Sequence, residues 1–108
     1  MKVDNEKKLD ELVNHSDAII VYFYSDHCPP CLSLRPKVEQ MMELDFPRMQ
    51  LVYVDAERHP HLAAKFSAFS LPVLVLFFEG KEFLRFSKYI SISELKESLG
   101  RIYELYYS

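Results

Sequence analysis

No apolar stretch in the 108-residue sequence approaches the ~20 residues that a membrane-spanning helix requires, so a membrane role is not expected. The first eight residues, Met1 to Lys8, are charged and lack the apolar run of a secretory signal, which directs the expected location to the cytoplasm. Thirteen basic residues stand against 16 acidic ones, for a formal net charge of −3, and the two signs are interspersed. No basic stripe is available to neutralise the phosphates of a nucleic acid, which is therefore not an expected partner. Linkers, internal repeats and low-complexity segments are also missing. With a length near the mode for one domain and 49% hydrophobic residues, residues 1–108 should fold as one monomeric unit around a core of their own.

Cysteine is scarce as well: Cys28 and Cys31 are the only two. That is too few for a disulfide scaffold, yet they lie three apart, a spacing that scattered cysteines seldom reach. In a reducing compartment such a pair is more often catalytic or metal-binding than structural. Zinc would need two further ligands, and His59 and His61 follow at a distance and spacing unlike a finger, so no metal site is expected.

Around the pair, the hydrophobic pattern alternates between strand and helix. From Asp4 to His15, Leu9, Leu12 and Val13 fall at helical spacing, with Asp4 as the expected cap. Ala18 to Tyr24 is apolar throughout and rich in β-branched and aromatic residues, as in a strand buried on both faces. Leu34, Val38, Met41, Met42 and Leu44 mark the inner face of a following helix, which Pro36 should kink or restart. Gln50–Asp55 is a second strand, and Pro60 opens a short helix through Phe66. Val73–Phe78 and Phe83–Phe86 flank Glu79-Gly80-Lys81-Glu82 as an antiparallel hairpin. Ser91 and Glu94 make a capping-box signature before Leu95, Leu99, Ile102 and Tyr106 at helical spacing. The expected architecture is α/β, with about four strands in a central mixed sheet and about four flanking helices.

This order puts Cys28 at the carboxyl end of a central strand and the start of a helix, where open α/β sheets form their sites. A helix N-terminus presents unpaired N–H groups and about half a positive charge, which stabilises a thiolate and gives Cys28 the nucleophile's form. The second sulfur, on Cys31, lies within the reach of an unstrained disulfide and can resolve. Pro29 and Pro30 fix the backbone between them and remove two N–H donors. A redox-dead remnant remains the bland alternative. His27 either tunes Cys28 electrostatically or occupies surface, and Tyr22 fills core or serves acid–base chemistry. Pro72 could simply open a strand as an ordinary trans proline.

Over nearly its whole length the sequence resembles the thioredoxin family. The resemblance rests on Val21-Tyr22-Phe23-Tyr24, Cys28-x-Pro30-Cys31, Pro36, Leu71-Pro72 and Glu79-Gly80-Lys81 in that order. It implies a single thioredoxin-like domain over 1–108 and a thiol–disulfide oxidoreductase that reduces or exchanges disulfides in protein substrates. It further implies Cys28 as the exposed attacking thiol, Cys31 as the buried resolving thiol and Pro72 as a cis proline against the disulfide. Leu71 would offer its backbone to an extended substrate by β-augmentation. No cofactor beyond the dithiol is implied, and an upstream reductase such as a thioredoxin reductase would return the electrons. Four positions depart from the pattern: His27 replaces a tryptophan, Tyr22 a buried aspartate, Leu51 a lysine and Lys88 a glycine. A function of the second class is therefore carried along, a thioredoxin-fold docking module for one partner with redox activity secondary or absent.

Overall fold

A computed structural model describes residues 1–107. In chain order they form α1 (Glu6–His15), β1 (Ala18–Tyr24), α2 (Pro29–Asp45), β2 (Gln50–Asp55), α3 (Pro60–Lys65), β3 (Val73–Phe78), β4 (Lys81–Ser87) and α4 (Ile92–Tyr107). The strands make one mixed sheet in the order β2-β1-β3-β4. β1 runs parallel to β2, with Tyr24 opposite Asp55, and antiparallel to β3, with Phe23 opposite Val73. β4 lies antiparallel along β3, so Ser87 ends beside Val73.

Because successive side chains of a strand point to opposite faces, the continuous apolar run of β1 supplies two cores at once. Ile20, Tyr22 and Tyr24 face one way, into a cluster with Leu34, Val38, Met41 and Met42 of α2 and Leu95 and Leu99 of α4. Ile19, Val21 and Phe23 face the other way, packing with Leu9 and Val13 of α1 and Leu62 and Ala63 of α3. Every residue of β1 is buried. The sheet is thus covered on both faces, and its central strand delivers the chain rigidly to the cysteines.

Four local expectations are corrected. Asn5, and not Asp4, caps α1: its backbone is extended and its side chain accepts the Lys8 N–H at 2.8 Å, which reaches the third helical residue. Leu44 is 70% exposed, because it lies two residues past buried Met42 and so about 200° around the helix. Of the two expectations for Pro36, a kink or a restart, the restart does not occur: α2 is one helix through it. The hairpin turn is two residues, not four. Glu79 and Gly80 both take positive φ, 49° and 84°, the backbone that two-residue hairpins favour, and β4 therefore begins at Lys81. Tyr106 stays exposed, with its ring 4.9 Å from that of Phe78, whereas Tyr103 packs edge-on against Phe46 in the core.

Candidate active site

β1 ends at Tyr24, and three residues later Cys28 caps α2 with an extended backbone. Its Sγ accepts the Cys31 N–H at 3.2 Å. Pro29 and Pro30 occupy the first two helical positions, where an N–H would have no partner within the helix, so two prolines are tolerated there. Cys28 and Cys31 are joined as a disulfide with their Cα atoms 5.2 Å apart, inside the usual range. Their exposure differs: Cys28 is half-buried, while Cys31 is 1% exposed and belongs to the core.

The Leu71–Pro72 bond is cis, and Leu71 packs on the same cluster as Cys28 and Cys31. Pro72 and Pro30 line a shared groove of about 420 Å³, completed by Leu34, Lys37, Lys88 and Tyr89. The chain between β4 and α4 is tied to this proline segment by Lys88, whose N–H donates to the carbonyls of Ser70 at 3.1 Å and Pro72 at 2.9 Å. Lys88 makes these bonds from a left-handed backbone, φ 67°, at the position where the family's pattern has glycine.

Behind the dithiol stands a buried aromatic group. The Tyr22 hydroxyl donates to the Cys31 carbonyl at 2.7 Å, and its ring lies 5.7 Å from that of Tyr53. Tyr53 in turn donates to Glu39 Oε2 at 2.7 Å, and the Arg35 guanidinium sits 4.2 Å from the Tyr53 ring centroid. Burial pushes the Tyr22 phenol up to about 12, against the opposing pull of the Arg35 charge. Burial, reinforced by the bond to Glu39, raises Tyr53 as well. Both phenols therefore stay neutral at physiological pH.

His27 turns away from this group. Its Nδ1 meets Glu57 Oε1 at 2.7 Å, its N–H donates to Ser25 Oγ at 3.0 Å, and Ser25 Oγ lies 3.3 Å from Glu57 Oε2. The His27 ring is largely exposed, so the pair is a surface contact that fixes the segment before Cys28. Sequence reasoning missed Ser25 and Glu57 altogether. The one available signal was that β1 and β2 end side by side, which brings the residues after each strand together. Of the two sequence readings of Tyr22, core filling or acid–base chemistry, the structure shows the first: it fills core, and its hydroxyl also holds the first turn of α2. His59 and His61 lie at the start of α3, and His59 caps it without a side-chain bond.

Comparison with known proteins agrees with this geometry. Residues 1–101 match the Thioredoxin family model. The chain is 29% identical to Thioredoxin-like protein YdfQ of Bacillus subtilis over 98 residues, which cover 91% of this chain and 87% of that protein. Against Thioredoxin Y2, chloroplastic, of Arabidopsis thaliana the identity is 32% over 83% of this chain, which spans 54% of that longer relative. A solved mutant thioredoxin from Halobacterium salinarum superposes with a TM-score of 0.83 at 27% identity, covering 95% of this chain and 88% of that one. The chain belongs to the thioredoxin family, and its Cys28–Cys31 pair at disulfide distance supports thiol–disulfide oxidoreductase activity.

Proposed function

We propose that the protein reduces or exchanges disulfides in protein substrates, with Cys28 attacking and Cys31 resolving. The Cys28 thiolate attacks one sulfur of a substrate disulfide; that S–S bond breaks, a mixed disulfide forms, and the expelled substrate thiolate takes a proton from solvent. Cys31 then loses its proton and attacks Cys28 Sγ, which closes the intramolecular disulfide and releases the second substrate thiol. The substrate gains two electrons and two protons, and the dithiol loses them. Members of the family act on disulfide substrates and with reductases. An upstream reductase such as a thioredoxin reductase would restore the dithiol here. The Leu71 backbone would hold an extended substrate segment while Pro30 and Pro72 shape the groove beside it. The protein would act as a cytoplasmic monomer, with no cofactor, in electron transport and redox homeostasis.

The observation that carries this reading is the asymmetry of the two sulfurs: Cys28 reaches solvent at a helix N-terminus, whereas Cys31 is 1% exposed. Iodoacetamide added to the reduced protein near neutral pH should label Cys28 much faster than Cys31. Equal labelling, or Cys31 first, would overturn the assignment. A turnover assay on a generic disulfide separates catalysis from a docking role, which would give little or none.

A further inference from the structure

The charges around the dithiol are distributed unequally. Across this end of the sheet the order is Asp55 at the end of β2, Tyr24 at the end of β1, Val73 opening β3 and Ser87 closing β4. On the β2 side Glu57 meets His27 and Asp55 accepts the N–H groups of Glu57 and Arg58, while Asp26 and Arg58, which form no ion pair among the described residues, carry opposite signs. On the other side, Lys37 and Lys88 line the groove beside Pro30 and Pro72, and both are exposed. Among the described residues neither forms an ion pair. Lys37 has Ser33, Leu34, Gln40 and Met41 three and four residues away, so its helix offers no carboxylate. Lys88 Nζ lies 5.7 Å from the centroid of the Tyr89 ring, which leaves its charge unneutralised. Two unpaired cations thus line the groove beside Pro30 and Pro72, in a chain whose formal net charge is −3.

We infer that this groove selects protein disulfides whose attacked cysteine is flanked by acidic residues, with Lys37 and Lys88 as the specificity-determining residues. The inference rests on the exchange reading above. Pro30, Leu34 and Pro72 give an extended segment an apolar floor, and a carboxylate next to its cysteine meets one or both ammonium groups at the rim. Such complementarity acts on encounter and register more than on raw affinity, so it appears in the second-order rate. Lys88 is held there by its two backbone bonds to the proline segment, which couples the position of its charge to the groove wall.

The test uses the pre-reduced full chain and short peptides carrying one cysteine as a mixed disulfide with thionitrobenzoate. Cys28 attacks the peptide sulfur, the peptide–thionitrobenzoate bond breaks, and the coloured thiolate leaves with the electron pair; Cys31 then expels the peptide thiol. Three peptides differ only in Glu, Gln or Lys on both sides of the cysteine. At low salt the Glu peptide should react about two- to thirtyfold faster than the Lys peptide, the range for two exposed charge pairs. At 1 M salt, where screening acts within about 3 Å, the ratio should approach one. In a Lys37→Gln, Lys88→Asn variant the low-salt ratio should also approach one, asparagine being tolerant of the left-handed backbone. Because each ratio is taken within one protein, a general change of rate cancels. Equal rates for the Glu and Lys peptides at low salt, or a ratio that survives the double substitution, would overturn the inference while exchange still runs. Failure of all three peptides to release thionitrobenzoate would overturn the exchange reading and the inference with it.

Discussion

The buried hydroxyl of Tyr22 donates a 2.7 Å hydrogen bond to the backbone carbonyl of Cys31. It ties the central strand to the first turn of α2, so the resolving cysteine is positioned by the sheet as well as by its helix. A phenol in this place supplies a donor and no charge. The aspartate of the family's pattern would supply a charge and, when ionised, no donor.

Removing that hydroxyl should be felt in stability. Tyr22→Phe is expected to lower the unfolding free energy by about 1 kcal/mol, the net worth of a typical buried hydrogen bond, read from the urea midpoint. The same variant should change the alkaline limb. The folded phenol titrates at about 12 and an unfolded one near 10, so below pH 10 both states are neutral and the stabilisation is intact. Above pH 10 the unfolded state loses its proton first, and stability falls as pH rises toward 12. Tyr53 is raised as well, so Tyr22→Phe should make this fall shallower without abolishing it. An unchanged slope would show that Tyr22 ionises freely in the folded protein.

Redox poise should follow from the same residue. A buried carboxylate near the dithiol opposes a second negative charge, and Tyr22 removes that opposition, which eases thiolate formation and favours the reduced state. The midpoint is expected above the roughly −270 mV of ordinary thioredoxin, measured by equilibration against a glutathione buffer. Tyr22→Asp should move it down. A midpoint that Tyr22→Asp leaves in place would remove this mechanism whatever the starting value.

The inner face of α4 and the outer face of α2 give opposite expectations for one chemical change. Leu99 is fully buried, so Leu99→Ala should cost about 2–5 kcal/mol through lost transfer energy and a residual cavity. Leu44 is 70% exposed, and Leu44→Ala should stay within about 0.5 kcal/mol. Denaturant titration of both variants checks the placement, and a large loss at Leu44 would contradict it.

At the β3–β4 turn, Gly80 combines φ 84° with a close neighbour, since an added Cβ would stand 3.2 Å from Asn14 Oδ1. Gly80→Ala should therefore destabilise by roughly 1–2 kcal/mol, the cost of a side chain in the left-handed region. Calorimetry should show the melting temperature falling by roughly 4–8 °C for each kcal/mol. Full retention of the wild-type value would mean that the turn relaxes to another type.

The strands were legible because their signals are local. β2 and β3 occupy the residues expected of them, β2 centred on Leu51–Val54 and β3 apolar throughout, with proline immediately before β3 and glycine soon after it. The dithiol was legible from spacing, and its place at a helix start from the strand before it. What escaped were relationships across the chain. Glu57 meets His27 over 30 residues of sequence, a contact decided by which strand ends lie side by side. Tyr22 was recognisable as core, but its bond to a backbone carbonyl leaves no trace in side-chain periodicity. Leu44 shows the limit of periodicity itself, which loses the inner face within the last turn of a helix.

The strand order also governs when the site comes into being as the chain folds. β1, α2 and β2 form a unit of nearby sequence, and that unit already holds both cysteines. The groove needs β3, which the chain reaches only after β2 and α3, and whose nearest pairing with β1, Phe23 with Val73, closes a longer loop than Ile19 with Gln50 does between β1 and β2. Loop-closure entropy favours the shorter unit first. A chain caught at that stage would carry a dithiol with no wall beside it, able to exchange with any sulfur it meets. The discrimination proposed above is thus a property of the docked β3 and not of the dithiol unit alone.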